Sequence, residues 1–199
     1  METFVQNELF VIIAAYLLGS IPTGLLLARA FGVDIRTSGS GNIGATNVYR
    51  TLGKKVGILT LVGDCLKGLL PVLAARHLFG FPVEWLALTG LAAFLGHVYT
   101  IFLRFKGGKG VATALGVFLA LSPLSVLAAL AVFVLVLRKW RYVSLASISA
   151  AASIPLIIAL LDQRQVIILM SIAIAVIVIA KHRDNISRLR AGTENRFKG

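Results

Sequence analysis

Six apolar runs, at residues 9–31, 56–78, 85–103, 111–137, 143–161 and 166–180, fill most of this 199-residue chain. A run of about 20 apolar residues is the length a helix needs to cross the hydrocarbon core of a bilayer, where every backbone polar group must be satisfied within the segment. The pattern predicts an all-α integral membrane protein, a single polytopic domain over residues 1–199. A soluble core is set aside, since 58% of the residues are hydrophobic and only 14% are charged.

The fourth run is too long for one span and carries Ser122-Pro123 at its middle. Proline removes a helix hydrogen bond and disfavours helix at the residue before it, so two shorter helices with a turn are possible there. Charge decides. Arg104, Lys106 and Lys109 flank one end, and Arg138, Lys139 and Arg141 flank the other. One span would split these clusters across the membrane, whereas two keep them on one side. That side also receives Arg29, Arg36, Arg50, Lys54 and Lys55, and the tail adds Lys181, Arg183, Arg188, Arg190, Arg196 and Lys198. Only Lys67, Arg76 and Arg164 fall elsewhere, and the positive-inside rule makes the rich side cytoplasmic. The expectation is seven transmembrane helices, N-terminus outside and C-terminus cytoplasmic. The fourth, about residues 110–121, would reach only ~18 Å against a core of ~30 Å, so it must be short, tilted or shielded by protein.

The formal charge of +12 lies in short segments between the runs rather than along one polar face, so topology explains it better than nucleic acid does. Residues 1–8 carry Glu2 and Glu8 but no Lys or Arg, unlike a secretory signal, and the first run is expected to stay as a span. Cys65 stands alone in an apolar run and reads as a packing residue.

With this topology every Gly-rich polar segment faces one compartment. In Ser38-Gly39-Ser40-Gly41-Asn42-Ile43-Gly44-Ala45-Thr46-Asn47 the spacing Gly39-x-Gly41-x-x-Gly44 imitates a dinucleotide fingerprint, but that fingerprint needs a preceding strand and here a membrane helix precedes it. The glycines instead allow a bend in which successive N–H groups, the Ser40 hydroxyl and the Asn42 amide point at an anion, with Arg50 adding a bidentate charge. A flexible connector accounts for Gly and Ser, but less well for Asn42, Thr46 and Asn47 leading into a helix. In Lys106-Gly107-Gly108-Lys109-Gly110, glycines lie just before the short helix and offer free N–H donors, with two lysines nearby. The plainer reading is that these lysines only set topology. It is not a Walker A loop, because Lys109 is followed by Gly110.

His97 lies within the third run, where it can be a packed structural residue or can orient or transfer a proton. Asp64 and Lys67, three apart in the second run, read as an internal pair rather than a catalytic couple. His182 and Asn185 share that spacing in the tail and can present an imidazole and an amide to one site, as Ser144 and Ser147 can present hydroxyls at the start of the sixth helix. The eight acids are scattered, so no metal centre and no cofactor is expected. No His-x4-Asp device is present, since Pro82, Phe102 and Ser187 stand five residues after the histidines, and no Gly-x-Ser-x-Gly elbow is found.

Together with Gly19-Ser20-Ile21-Pro22-Thr23-Gly24, Gly96-His97-Val98-Tyr99, Phe105-Lys106-Gly107-Gly108-Lys109-Gly110-Val111-Ala112-Thr113 and His182-Arg183-Asp184-Asn185-Ile186, the first loop resembles the bacterial acyl-phosphate:glycerol-3-phosphate acyltransferase family along the whole chain. The resemblance implies transfer of a fatty acyl group from acyl phosphate to the 1-hydroxyl of glycerol 3-phosphate. It gives 1-acylglycerol 3-phosphate and phosphate, the first step of phospholipid synthesis. It implies a multi-pass protein of the bacterial cell (inner) membrane, with its active site toward the cytoplasm. Coupling to the acyl-phosphate-forming enzyme and to the next acyltransferase would follow. Carried onto matching positions, Ser40, Arg50, Lys109, Ser147, His182 and Asn185 would bind phosphate groups, while Gly107 and Gly108 would shape their loop.

With His97 added, the expected catalytic set is Ser40, Arg50, His97, Lys109, His182 and Asn185. The expected substrate-binding set is Gly39, Gly41, Asn42, Thr46, Asn47, Lys106, Gly107, Gly108 and Ser147. An acyl phosphate carries a good leaving group, so direct attack by the hydroxyl needs no protein nucleophile. His97, His182 or the substrate's own phosphate can take the proton, and the lack of an evident His/Asp pair favours the substrate. A transporter of phosphorylated anions would need midplane polar groups and usually a repeat, and a metal-dependent CDP-alcohol phosphotransferase would need clustered acids.

Overall fold

The computed structural model describes residues 2–197, with side chains placed from Asn7 onward. Met1, Lys198 of the basic tail and Gly199 lie outside them. The described residues are helical with no strand, and their contacts divide into two units, Met1–Leu121 and Ser122–Gly199.

The first unit contains α1 (Glu2–Ser20), α2 (Thr23–Ala30), α3 (Ala45–Leu52), α4 (Lys54–His77), α5 (Val83–Val98), a 3-10 turn (Ile101–Leu103) and α6 (Val111–Leu121). The second contains α7 (Pro123–Trp140), α8 (Val143–Leu161), α9 (Gln165–Lys181) and α10 (Arg183–Arg190). The fourth apolar run therefore breaks at Ser122-Pro123, where Pro123 opens a new helix at a position whose missing N–H costs nothing.

By length and apolarity five stretches can cross a membrane: Asn7–Ala30, Lys54–His77, Val83–Leu103, Pro123–Trp140 and Val143–Leu161. A sixth appears when α9 is joined to α10 across a 56° bend. The remaining apolar helix, α6, has 11 residues, which at the helical rise is about 16 Å. Its burial explains how so short a helix is tolerated, since Ala114, Val117, Phe118 and Leu121 are all shut away from the protein surface.

Within the first unit α4 packs against α1, α2, α3, α5 and α6. Small residues make that possible. A Cβ on Gly68 would overlap the Thr113 carbonyl of α6, and one on Gly116 would overlap the Cys65 carbonyl of α4, so the two backbones run in direct contact. Gly24, Gly57 and Gly63 are equally close to Ile43, Tyr49 and Thr23, as their place in the apolar runs suggests. The first span is itself interrupted. Pro22 has no N–H to continue α1, and the chain turns through Ile21 before α2 begins. The carbonyls left at this break find partners elsewhere: Thr100 Oγ1 donates to Ser20 O at 2.6 Å and Lys67 Nζ donates to Ile21 O at 2.8 Å.

In the second unit α8 packs against α7 and α9, and α10 touches both α8 and α9. Leu124, Leu127 and Leu135 stand exposed along α7, the surface a lipid-facing helix presents. At the end of α7, Lys139 lies over the Trp140 ring at 4.5 Å.

Candidate active site

The first polar loop is pinned at two apolar points. Ile35 and Ile43 are buried with Leu25, Ala28, Val48 and Val56 in a small core under the loop, each isoleucine contributing about 1.5–3 kcal/mol. Between them one side chain organises the backbone. Asn47 Oδ1 accepts the Ser40 N–H at 2.9 Å, and its Nδ2 donates to the carbonyls of Ser38 (2.9 Å), Asn42 (2.9 Å) and Ile35 (3.2 Å). Gly39 (φ +58°) and Gly41 (φ +69°) supply the left-handed turns this wrapping requires, and a Cβ on Gly39 would strike the Asn47 amide oxygen. Asn42 Oδ1 accepts the Gly44 N–H at 2.9 Å just ahead of α3. Before the loop, Asp34 holds Arg36 through Nε (3.0 Å), Nη2 (2.7 Å) and the backbone N–H (3.0 Å), and the hydrogen-bonding Arg36 side chain brings the Asp34 carboxyl down to about 2.

Of the two asparagines expected to bind substrate, Asn42 and Asn47, Asn47 thus has its amide engaged in shaping the loop. Ser40 is left exposed at the turn, half-buried Thr46 lies in the first turn of α3, and Arg50 stands exposed one helical turn after Thr46.

The second loop is laid against the end of α5. Gly107 N–H donates to Val98 O at 3.2 Å and Gly108 N–H to His97 O at 3.1 Å. A Cβ on Gly107 would overlap the His97 carbonyl, and one on Gly108 would overlap His97 Nε2. These glycines are needed for close approach, because the His97 backbone and ring lie directly beneath them. Lys106 is exposed and Lys109 half-buried on the way into α6. Leu103, from the turn before the loop, packs on the core beneath the first loop, so both polar loops share one apolar footing.

His97 is 4% exposed, and its Nδ1 lies 3.7 Å from Asp64 Oδ1. Asp64 is also 2.9 Å from Lys67 Nζ, so the expected internal pair is present and a histidine is added to it. No sequence spacing discloses this His/Asp neighbourhood, because the partners stand on α4 and α5.

In the second unit the tail turns back at Gly192 (φ +70°) and brings Glu194 onto α8 and α10. Glu194 Oε1 accepts from Ser144 Oγ (2.8 Å) and Asn185 Nδ2 (2.7 Å), while Oε2 accepts from Arg188 Nε (2.7 Å). Burial alone would push the Glu194 carboxyl up, but the hydrogen bonds from Asn185, Ser144 and Arg188 outweigh it and hold it below its ordinary range. Further along, Arg196 lies over the Tyr142 ring at 5.7 Å, and the Phe197 N–H donates to Arg141 O at 2.6 Å. His182 is 3% exposed with Nδ1 at 2.7 Å from Val178 O, so Nδ1 carries a proton and Nε2 is the ring's other face. Ser147 Oγ donates to Val143 O at 2.8 Å.

The predicted residues accordingly form three groups: Gly39, Ser40, Gly41, Asn42, Thr46, Asn47 and Arg50 around the first loop; His97 with Lys106, Gly107, Gly108 and Lys109; and Ser147, His182 and Asn185 in the second unit. Two polar residues at their centres are absent from the sequence-based set. Asp64 was legible as an intramembrane acid without its histidine, and Glu194 as one of two acids in a basic tail without the side chains it collects. Among the described residues no three His, Cys, Asp or Glu side chains gather in a way that could hold a metal ion.

A family model described as glycerol-3-phosphate acyltransferase matches residues 9–192. The glycerol-3-phosphate acyltransferase of Geotalea daltonii is 73% identical over 192 residues, 96% of this chain and 98% of that protein. The Aquifex aeolicus protein of the same name is 50% identical, covering 96% of this chain and 100% of its own length. Among solved structures, PlsY (YgiH), an integral membrane glycerol 3-phosphate acyltransferase, matches in its glycerol 3-phosphate form with a TM-score of 0.92 and 49% identity over 96% of each chain. Its lysophosphatidic acid form matches with a TM-score of 0.90 and 48% identity, again over 96% of each chain.

Proposed function

The chain belongs to the glycerol-3-phosphate acyltransferase family, and on that footing we propose that it moves a fatty acyl group from acyl phosphate to the 1-hydroxyl of glycerol 3-phosphate. The products are 1-acylglycerol 3-phosphate and inorganic phosphate. The observation that carries this reading is the first loop: Asn47 and two left-handed glycines hold its backbone in one shape while Ser40 and Arg50 are left at the surface beside it. Such a preorganised turn with a nearby guanidinium suits a phosphate, and the matched PlsY structures are of glycerol 3-phosphate and lysophosphatidic acid forms.

In this reading Ser40, Arg50, Lys109, Ser147, His182 and Asn185 hold phosphate groups of the two substrates, and the Gly107-Gly108 turn admits the donor's phosphate beside Lys109. The hydroxyl oxygen bonds to the acyl carbon, the bond from that carbon to the phosphate oxygen breaks, and phosphate departs with the electron pair. The hydroxyl proton passes to a phosphate oxygen of the substrates. Burial favours this over a histidine base: His97 lies under Gly107 and Gly108, and His182 is held through Nδ1 on the Val178 carbonyl.

The seven-span topology, N-terminus out and C-terminus in, belongs to the same proposal, with the short α6 sheltered by protein and the polar loops toward the cytoplasm of a bacterial inner membrane. An enzyme that forms acyl phosphate supplies the donor, and a second acyltransferase consumes the product. Purified protein in lipid tests the donor. Acyl phosphate with glycerol 3-phosphate is expected to yield the lyso-lipid, whereas product only from acyl-CoA or a CDP-lipid overturns the reading. A reporter fused at Ser122 tests the topology, and a cytoplasmic signal there sinks the seven-span arrangement.

A further inference from the structure

A line of buried polar groups runs through the first unit beneath the second loop. It begins at the break in the first span, where Pro22 interrupts the helix and the Ile21 carbonyl accepts from Lys67 Nζ at 2.8 Å. Lys67 is paired with Asp64 Oδ1 at 2.9 Å, and the same oxygen lies 3.7 Å from His97 Nδ1. The opposite side of the imidazole meets the loop, since Nε2 is the atom a Cβ on Gly108 would strike first. Lys67, Asp64 and His97 are all buried, at 8%, 2% and 4% exposure.

Charged groups are rarely kept inside a membrane protein without a task, and an acid facing one nitrogen of a histidine sets which nitrogen carries the proton. At 3.7 Å the pair is longer than a direct hydrogen bond, so the carboxylate acts through its field: an N–H is favoured on the Nδ1 side, which leaves Nε2 as an acceptor toward the loop. Lys67, paired with the Asp64 carboxylate and bonded to the Ile21 carbonyl, ties the place of Asp64 to the broken first span.

We propose that Asp64 is a positioning residue, held by Lys67, that fixes the tautomer and orientation of His97 and through the ring sets the shape of the Gly107-Gly108 turn. Asp64 does not touch substrate. The motif around Pro22 gains a purpose as well, because the break is what makes the Ile21 carbonyl available to Lys67.

The test uses the full-length protein in lipid nanodiscs, labelled with 15N-histidine. The three histidines give few signals, and His97→Gln identifies those of His97. In the wild type His97 is expected as one neutral tautomer protonated at Nδ1. Asp64→Asn alone leaves Lys67 buried without its partner, so the variant to measure is Asp64→Asn with Lys67→Met, which removes both charges together. In it the His97 signals are expected to move toward protonation at Nε2 or a mixture. The KM for the phosphate substrate bound by the loop is expected to rise about tenfold with kcat within about threefold, whereas a loss of folded protein lowers the maximal rate and leaves KM in place. Unchanged His97 signals in the double variant overturn the proposal, as does an unchanged KM. The kinetic arm rests on the acyl-transfer reading and the NMR arm does not, so a protein inactive with acyl phosphate would still report the tautomer.

Discussion

His97 presents Nδ1 to the Asp64 carboxylate at 3.7 Å and its other edge to Gly108, so the ring is confined between a buried acid and a loop backbone. Gly108→Ala would drive a methyl group into that ring, and neither can retreat without moving the loop. The variant is expected to lower kcat/KM for acyl transfer by about 100-fold, the scale on which small displacements of substrate-positioning groups act. Two-substrate kinetics on purified variant and wild type measure it.

Lys67 and Asp64 pair at 2.9 Å with both side chains buried. Lys67→Met leaves an uncompensated buried carboxylate and is expected to destabilise the protein by about 3–5 kcal/mol, while adding Asp64→Asn restores most of the loss. Thermal unfolding in a common detergent compares the three proteins.

Glu194 fastens the tail through three side chains, and their hydrogen bonds hold its folded pKa below the ordinary glutamate value of ~4.3. A depressed folded pKa means the stabilisation is fully present above that ordinary value and is lost as pH falls through the lower, folded one. Wild-type protein is expected to lose thermal stability as pH drops below ~4, and Glu194→Gln to lack that component while being less stable at neutral pH. Unfolding temperatures of both proteins from pH 7 to pH 3 show the difference.

The fold was legible to the extent that it follows from local rules. Apolar length marked the helices, and proline at position 123 marked the break between α6 and α7. Counting spans is harder for a physical reason: α6 and α9 have 11 and 17 residues, so length alone yields five or six where charge argues for seven. The site was legible where its residues are neighbours in sequence, as from Gly39 to Arg50. It was hidden where partners meet through packing: nothing in the spacing shows that Asp64 faces His97, or that Glu194 collects Ser144, Asn185 and Arg188. Asn47 shows a further limit. Composition marks it as a polar loop residue, but only the fold reveals that its amide is engaged by the loop itself.

Asn47 offers a sharp chemical test because its Oδ1 accepts once and its two amide N–H groups are shared among three carbonyls. Asn47→Asp keeps the shape, removes the donors and sets a carboxylate against Ile35, Ser38 and Asn42 oxygens. With about 1–3 kcal/mol at stake for each buried polar group left unsatisfied, activity is expected to fall by at least about 100-fold, further than in Asn47→Ala. Lyso-lipid formation by the two variants in the same membrane preparation ranks them.

The central claim is direct, metal-independent acyl transfer between two phosphate-bearing substrates, and initial rates with both varied together test it most directly. Purified protein in lipid with EDTA is expected to give intersecting double-reciprocal lines and one phosphate for each lysophosphatidic acid formed, because both substrates must be bound before the acyl group moves. Parallel lines with an acyl group trapped on the protein, or no product until metal is restored, would contradict the account.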